Sequence, residues 1–172
     1  MRRRSGGFIV LGCVLLFPGC GATEKTVAVP YAITVAVASD VNPDRNQKPS
    51  PIVLKVFQLK TASPFESADF FSLQDKPENV LGADLLGVDR IILRPGDART
   101  LHYPGNVEAG ALGIVAEYRV LEKNRWRVTV PLPRAKQLNL YKFWQMSPGE
   151  LKVSIAVRNG GLGIDGDTRG RP

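Results

Sequence analysis

Two cysteines, at positions 13 and 20, are the whole thiol inventory of this 172-residue chain. Everything beyond Gly21 must therefore fold without a disulfide and rely on apolar burial. Histidine is scarcer still. His102 stands alone, and a zinc centre built on clustered Cys and His has nothing to draw on. No Gly-x-Ser-x-Gly elbow and no Gly-rich phosphate loop is present. Asp84, Asp89, Asp97 and Glu117 could in principle supply a hydrolytic carboxylate pair, but no spacing brings two of them together. His102 lies in an apparent strand, Leu101-His102-Tyr103, facing away from its apolar neighbours, as an exposed strand histidine would. Neither catalysis, a metal nor a cofactor is expected. Basic residues exceed acidic ones, with a formal net charge of +7, yet they are scattered. Nucleic-acid binding would need a clustered basic stripe interleaved with aromatics.

A long hydrophobic run is also missing. The best stretch, Phe8 to Phe17, holds about ten apolar residues, roughly 15 Å as a helix against a hydrocarbon core of about 30 Å. It follows Arg2, Arg3 and Arg4 and precedes Pro18-Gly19-Cys20. A basic start, a short apolar core, a small residue and then cysteine read as a secretory signal over residues 1–19. Cleavage would leave Cys20 first, with lipid on its sulfur. Cys13 has a good local context in Val10-Leu11-Gly12, but it would leave only about five apolar residues as the core of the signal. Gly21, rather than Asp, follows Cys20, which by analogy with bacterial lipoprotein signals favours the outer over the inner membrane. Loss of the three leading arginines lowers the formal charge from +7 to +4.

Beyond a small, polar tether over 20–30, one domain is expected over 31–158. Tyr31, Ile33, Val35 and Val37 alternate with Ala32, Thr34, Ala36 and Ala38, the period of a strand. Ile52 to Lys60 reads as a second strand. Further strands are expected near 87–94, 98–104, 111–122, 126–132 and 151–158. In the last two, alternation sets Trp126, Val128, Val130 and Leu132 against Arg127 and Thr129, and Leu151, Val153, Ile155 and Val157 against Lys152, Ser154 and Arg158. Such alternation means antiparallel sheets with one wet face, and seven short strands make an all-β sandwich. Ser63-Pro64-Phe65-Glu66 predicts one added helix to about Leu73, with Ser63 as cap and Glu66 closing a capping box. Residues 159–172, rich in glycine, read as a flexible tail.

Two features invite a functional reading. Residues 40–51 form a polar loop with three prolines and no periodicity. A loop that long is either a plain connection or a docking element, and its prolines lower the entropy lost on ordering. Arg119 and Arg127 flank a hairpin with Trp126. They could pair with Glu117 or Glu122 across strands, or meet a partner.

Several ordered motifs carry a resemblance. They are Ala-Ser-Asp-Val-Asn-Pro-Asp (38–44), Lys-Pro-Ser-Pro-Ile-Val (48–53), Val-Phe-Gln-Leu-Lys (56–60), Phe-Glu-Ser-Ala-Asp-Phe-Phe-Ser-Leu (65–73), Leu-Gly-Ala-Asp-Leu-Leu (81–86), Leu-Arg-Pro-Gly (93–96), Ala-Glu-Tyr-Arg (116–119) and Trp-Arg (126–127). Together they resemble the outer-membrane lipoprotein family of type VI secretion (TssJ, SciN, VasD), over roughly 38–132 and with Cys20 in place. The resemblance implies a transthyretin-like sandwich with an added helix. It implies a lipid-anchored protein on the periplasmic face of the outer membrane. The implied partner is the periplasmic C-terminal region of a TssM-like inner-membrane protein, with no nucleic acid and no small-molecule substrate. The family ties its first inter-strand loop to that docking, which makes Asn42, Pro43, Asp44, Arg45, Lys48 and Pro49 the partner-contact candidates here. Two other readings are a carbohydrate or small-ligand binder, which would need a concave aromatic patch built from Trp126, Trp144 and the few Tyr and Phe, and a hydrolase of transthyretin-like fold, for which a single histidine is too few.

Overall fold

The computed structural model describes residues 24–134, 136–139 and 149–165. The signal segment 1–19, Cys20, the start of the tether, Trp144 and residues 166–172 lie outside the described residues.

Among the described residues, ten strands run in chain order: β1 (Glu24–Val27), β2 (Tyr31–Val37), β3 (Ile52–Leu59), β4 (Leu85–Leu93), β5 (Ala98–Tyr103), β6 (Ala111–Ala116), β7 (Arg127–Pro131), β8 (Lys136–Asn139), β9 (Leu151–Arg158) and β10 (Gly161–Ile164). They build two four-stranded sheets, ordered β10-β9-β2-β5 and β4-β3-β6-β7, and a small β1-β8 pair. The expected all-β sandwich is therefore the fold. Tyr31, Ile33, Val35 and Val37 of β2 face Leu54, Val56, Leu112 and Ile114 of the second sheet across one buried core. Thr34 and Ala36 face outward. The alternation that the residues carry is the alternation that the sheet uses.

One pairing departs from an antiparallel scheme. β2 and β9 run parallel, with Tyr31 opposite Leu151 and Val37 opposite Val157. A parallel pair needs a long crossover, and here the whole second sheet lies between the two strands in sequence. The chain also remains ordered past 158. Gly161–Ile164 pairs with β9, and Leu162 is buried in the core, so the start of the stretch expected as a flexible tail from 159 is folded instead. At the other end, Glu24–Val27 pairs with β8 inside the expected tether.

The second sheet is covered on its outer face by helices. Two short ones, α1 (Ser63–Ser67) and α2 (Phe70–Asp75), replace the single helix expected over 63–73, and α3 (Pro77–Leu81) and a 3-10 turn at Gly82–Asp84 follow. The break comes from Asp69. Its carboxylate accepts from the Ser72 amide at 3.0 Å and from the Ser72 hydroxyl at 2.6 Å, capping a new helix instead of continuing the old one. The Asp69 carboxyl is held below its ordinary range by those Ser72 bonds. The expected capping box does not form. Ala62 occupies the cap position without a side-chain bond, and Ser63 lies within the helix.

Phe65, Phe70, Leu73 and Leu81 bury against Phe57, Leu59 and Val115 in a second core. A side chain at Gly113 would force Phe65 to shift, because a Cβ would lie 2.6 Å from the Phe65 ring. Trp126, expected in the core, is half-buried and packs against both clusters. It meets Phe70 edge-on at 5.3 Å. The sequence sets Arg127 on an outward position, free to pair with Glu117 or Glu122 or to meet a partner. It lies over Trp126 at 4.7 Å and donates to the Phe65 and Ala68 carbonyls at 3.1 and 2.7 Å, satisfying the end of α1. Glu117 sits 3.7 Å from Lys55 instead.

Candidate functional site

β2 and β3 are joined at one pole of the sandwich by residues 38–51. Local bonds fix this loop. The Val41 amide donates to the Ala38 carbonyl at 3.3 Å, and the Ser50 amide donates to the Val41 carbonyl at 3.2 Å, which closes the base. At the tip, the Asp44 amide donates to the Lys48 carbonyl at 2.9 Å. The Asp44 carboxylate accepts from the amides of Asn46 and Lys48 at 2.8 and 2.9 Å, an Asx-type turn. Gln47 adopts the left-handed conformation at φ 63°.

Asn42 ties this loop to its neighbours. It is 5 % exposed and holds φ 50°, a conformation that Asn tolerates better than other residues with a β-carbon. Its side-chain amide donates to the Pro51 carbonyl at 2.9 Å. Its carbonyl oxygen accepts from the Arg119 amide at 2.9 Å. One side chain therefore bridges the two ends of the loop and pins it to the segment after β6.

That segment was expected to continue as a strand to 122. The strand stops at Ala116, and the Tyr118 amide bonds back to the Ala116 carbonyl at 3.0 Å. The Tyr118 ring is buried, and its hydroxyl donates to the Arg158 carbonyl at 3.0 Å. Burial pushes its phenol well above the ordinary range. Asn124 accepts from the Gly160 amide at 2.8 Å and donates to the Val120 carbonyl at 2.6 Å. The Leu162 amide donates to the Arg125 carbonyl at 2.7 Å. Gly161, at φ 126°, must be glycine, since a Cβ would sit 2.3 Å from the Arg125 nitrogen.

Three chain segments thus meet around an open cleft of about 840 Å³, walled by the 42–47 stretch, by 118–124 and by the β9–β10 turn at 159–160. Of the residues singled out by sequence, Asn42, Pro43, Asp44 and Arg45 line it. Lys48 and Pro49 are exposed on the outer side of the tip. Arg119, singled out separately, also lines the cleft and is exposed there. Gln47 and Tyr118, with Val120, Lys123, Asn124, Asn159 and Gly160, complete it, and sequence reasoning singled out none of them as site residues. For Lys123 and Asn124 the one legible sign was the polar run Glu122-Lys123-Asn124-Arg125.

Elsewhere the titratable groups are dispersed. Asp84 accepts from the Thr61 hydroxyl at 2.8 Å. Asp97 caps its own turn through the Arg94 amide at 2.8 Å. His102 is exposed, with Nδ1 3.2 Å from Glu150. Tyr31 and Tyr103 stack at 4.8 Å, and burial beside Asp89 raises both phenols above their ordinary range. Among the described residues, no three His, Cys, Asp or Glu side chains cluster to hold a metal, and no helix is long and apolar enough to cross a membrane.

The family model described as "Type VI secretion lipoprotein, VasD, EvfM, TssJ" matches residues 30–159. Among solved structures, Lip of Serratia marcescens, described as a membrane-bound component of the type VI secretion system, is 35% identical. The match covers 78% of this chain and 96% of that one, with a TM-score of 0.70. The lipoprotein TssJ1 of Pseudomonas aeruginosa is 27% identical over 84% of this chain and 99% of that one, with a TM-score of 0.71. A chain in a structure described as the TssM C-terminal domain from EAEC is 20% identical, covers 78% of this chain and 96% of that one, and shares the fold at a TM-score of 0.59. Among curated proteins, none matches the sequence.

Proposed function

Since this chain belongs to the type VI secretion lipoprotein family, we propose that it is the outer-membrane anchor of that system's membrane complex and docks a TssM-like protein in the periplasm. Cys20 carries the lipid in this reading. Each buried methylene contributes about 0.8 kcal/mol, so three acyl chains supply on the order of 30 kcal/mol and hold the protein essentially permanently. The sandwich is the rigid platform, and the pole bearing Asn42, Pro43, Asp44, Arg45, Lys48 and Pro49 meets the partner. Asn42 and Asp44 hold the shape of that pole, because their side chains are spent on backbone groups. Arg45, Lys48 and Pro49 are left for contact.

The observation that carries the reading is placement. The chain enters β2 at Tyr31 and reaches the loop only after Val37. Seven residues of strand put about 20 Å between the end leading back to Cys20 and the docking pole. Lipid and partner then pull on opposite ends of one rigid body, as a brace between two membranes requires. The family is a structural one, and the dispersed carboxylates and lone exposed histidine favour no catalytic role. A carbohydrate binder would want a concave aromatic wall, and the cleft lining holds only Tyr118, whose hydroxyl is already bonded.

Two variants test the proposal. Cys20→Ser is expected to release the protein from the outer-membrane fraction and stop secretion. Replacement of 42–49 by Gly and Ser is expected to leave membrane fractionation intact and lose the TssM-like protein on pull-down. Unchanged fractionation of the first, or equal recovery of the partner by the second, would count against it.

A further inference from the structure

We infer that the three-walled cleft is a receptor for an acidic polypeptide segment, read jointly by Arg45 of the β2–β3 loop and by Arg119 and Lys123 of the segment after β6. The inference rests on the docking role proposed above and assigns the chemistry of what is docked.

Its first support is how the polar groups divide. Those that shape the cleft are already bonded within the fold: Asn42 to Pro51 and Arg119, Asn124 to Gly160 and Val120, and Tyr118 to Arg158. The lining has one carboxylate, Asp44, and it already accepts two amide hydrogens. Arg45, Arg119 and Lys123 are exposed and take part in no ion pair among the described residues. Three uncommitted cations thus face one committed anion in the lining, with Glu122 on the same 118–124 segment but outside the lining, so the cleft carries a net positive charge. Clefts of that kind concentrate counter-charge and orient an approaching partner.

The second support is what the cleft does not offer. Stacking surfaces for bases are missing, since Tyr118 is buried and bonded. The cations sit on long side chains that are all exposed and come from two separate chain segments, which suits carboxylates spaced along a chain better than a single small anion. Val120, 44 % exposed beside Arg119, gives an apolar foothold for a side chain flanked by acidic ones. A lipid surface fits poorly, because the cleft lies at the pole away from the end of β2 that leads to Cys20.

The bonds that set the shape use none of the cationic side chains, so these can be changed without dismantling it. The Arg119 group that Asn42 holds is its amide, which Arg119→Glu retains. The test measures binding of the full chain in detergent to the periplasmic region of the TssM-like protein across a salt series. Arg119→Glu/Lys123→Glu is expected to weaken binding by about tenfold or more and to flatten its salt dependence. Arg119→Lys should bind nearly as wild type, and all three proteins should melt alike. If the double reversal binds within about twofold of wild type with the same salt dependence, while replacement of 42–49 still abolishes binding, the acidic-segment inference falls and the docking role stands. If wild type does not bind this region at all, the docking role falls and takes the inference with it. Salt-sensitive binding of the Cys20→Ser chain to phosphatidylglycerol vesicles, lost in the double reversal while partner binding persists, would assign the cleft to lipid and overturn the inference.

Discussion

Asn42→Ala should loosen the whole docking pole, and the size of the effect follows from three groups. The variant loses the bond to the Pro51 carbonyl and the bond to the Arg119 amide. Each net hydrogen bond is worth about 1 kcal/mol, and a buried partner left unsatisfied costs about 1–3 kcal/mol. Alanine at φ 50° adds about 1 kcal/mol of backbone strain. The sum is about 3–4 kcal/mol on the local structure of residues 38–51 and 117–120. Asn42→Gly loses the same bonds but not the conformation, and should cost about 1 kcal/mol less. Native-state hydrogen exchange reads this directly. Protection of the Arg119 amide should fall at least about thirtyfold in the alanine variant, which corresponds to about 2 kcal/mol. Amides deep in β2 should change far less. Unaltered protection at Arg119, or equal loss throughout β2, would refute the view that this one side chain staples the cleft.

Two further outcomes concern the platform. Gly113→Ala drives a methyl into Phe65 at 2.6 Å and should destabilise by about 1–3 kcal/mol. Combining it with Phe65→Leu should recover part of that loss, and additive losses on thermal melting would show that the two sites do not touch. Tyr31, Tyr103 and Tyr118 have phenols raised by burial, whereas unfolded phenols titrate near about 10. Stability is then fully present below about pH 10 and falls as pH rises beyond it, because only the unfolded chain gives up those protons. The urea midpoint should drop between about pH 8 and about pH 11, and three phenols titrating normally in the folded protein would contradict this.

How much of this was legible in the residues depended on which force set each element. β2 and β9 showed themselves by alternation, since one face is buried and the other largely wet, and β7 by the alternation of Val128 and Val130 with Arg127 and Thr129. The parallel pairing of β2 with β9 left no trace, because alternation specifies a face and not a neighbour. β10 hid behind composition. Gly161 and Gly163 made the stretch look like a tail, yet the first is demanded by contact with Arg125, and Leu162 is core. The helix break was invisible because Ser63, Pro64 and Glu66 satisfied one cap signature while Asp69 supplied a stronger one six residues later. Arg127 looked like an outward strand residue, and only the position of α1 reveals that it satisfies helix carbonyls. The loop at 40–51 was legible through its length and prolines. The other two walls of the cleft were not, since the Ala116–Leu121 stretch reads as a continuing strand unless Asn42 and Arg158 are seen to capture it.

Site-specific photo-crosslinking in intact cells tests the central claim most directly. A photoreactive residue at Lys48, on the exposed tip of the loop, should yield an adduct with the TssM-like protein. The same residue at Ala83, exposed in the turn before β4 at the end of β3 away from the loop, should yield none. Adducts from Ala83 with none from Lys48 would place the partner at the wrong end of the molecule and contradict the account.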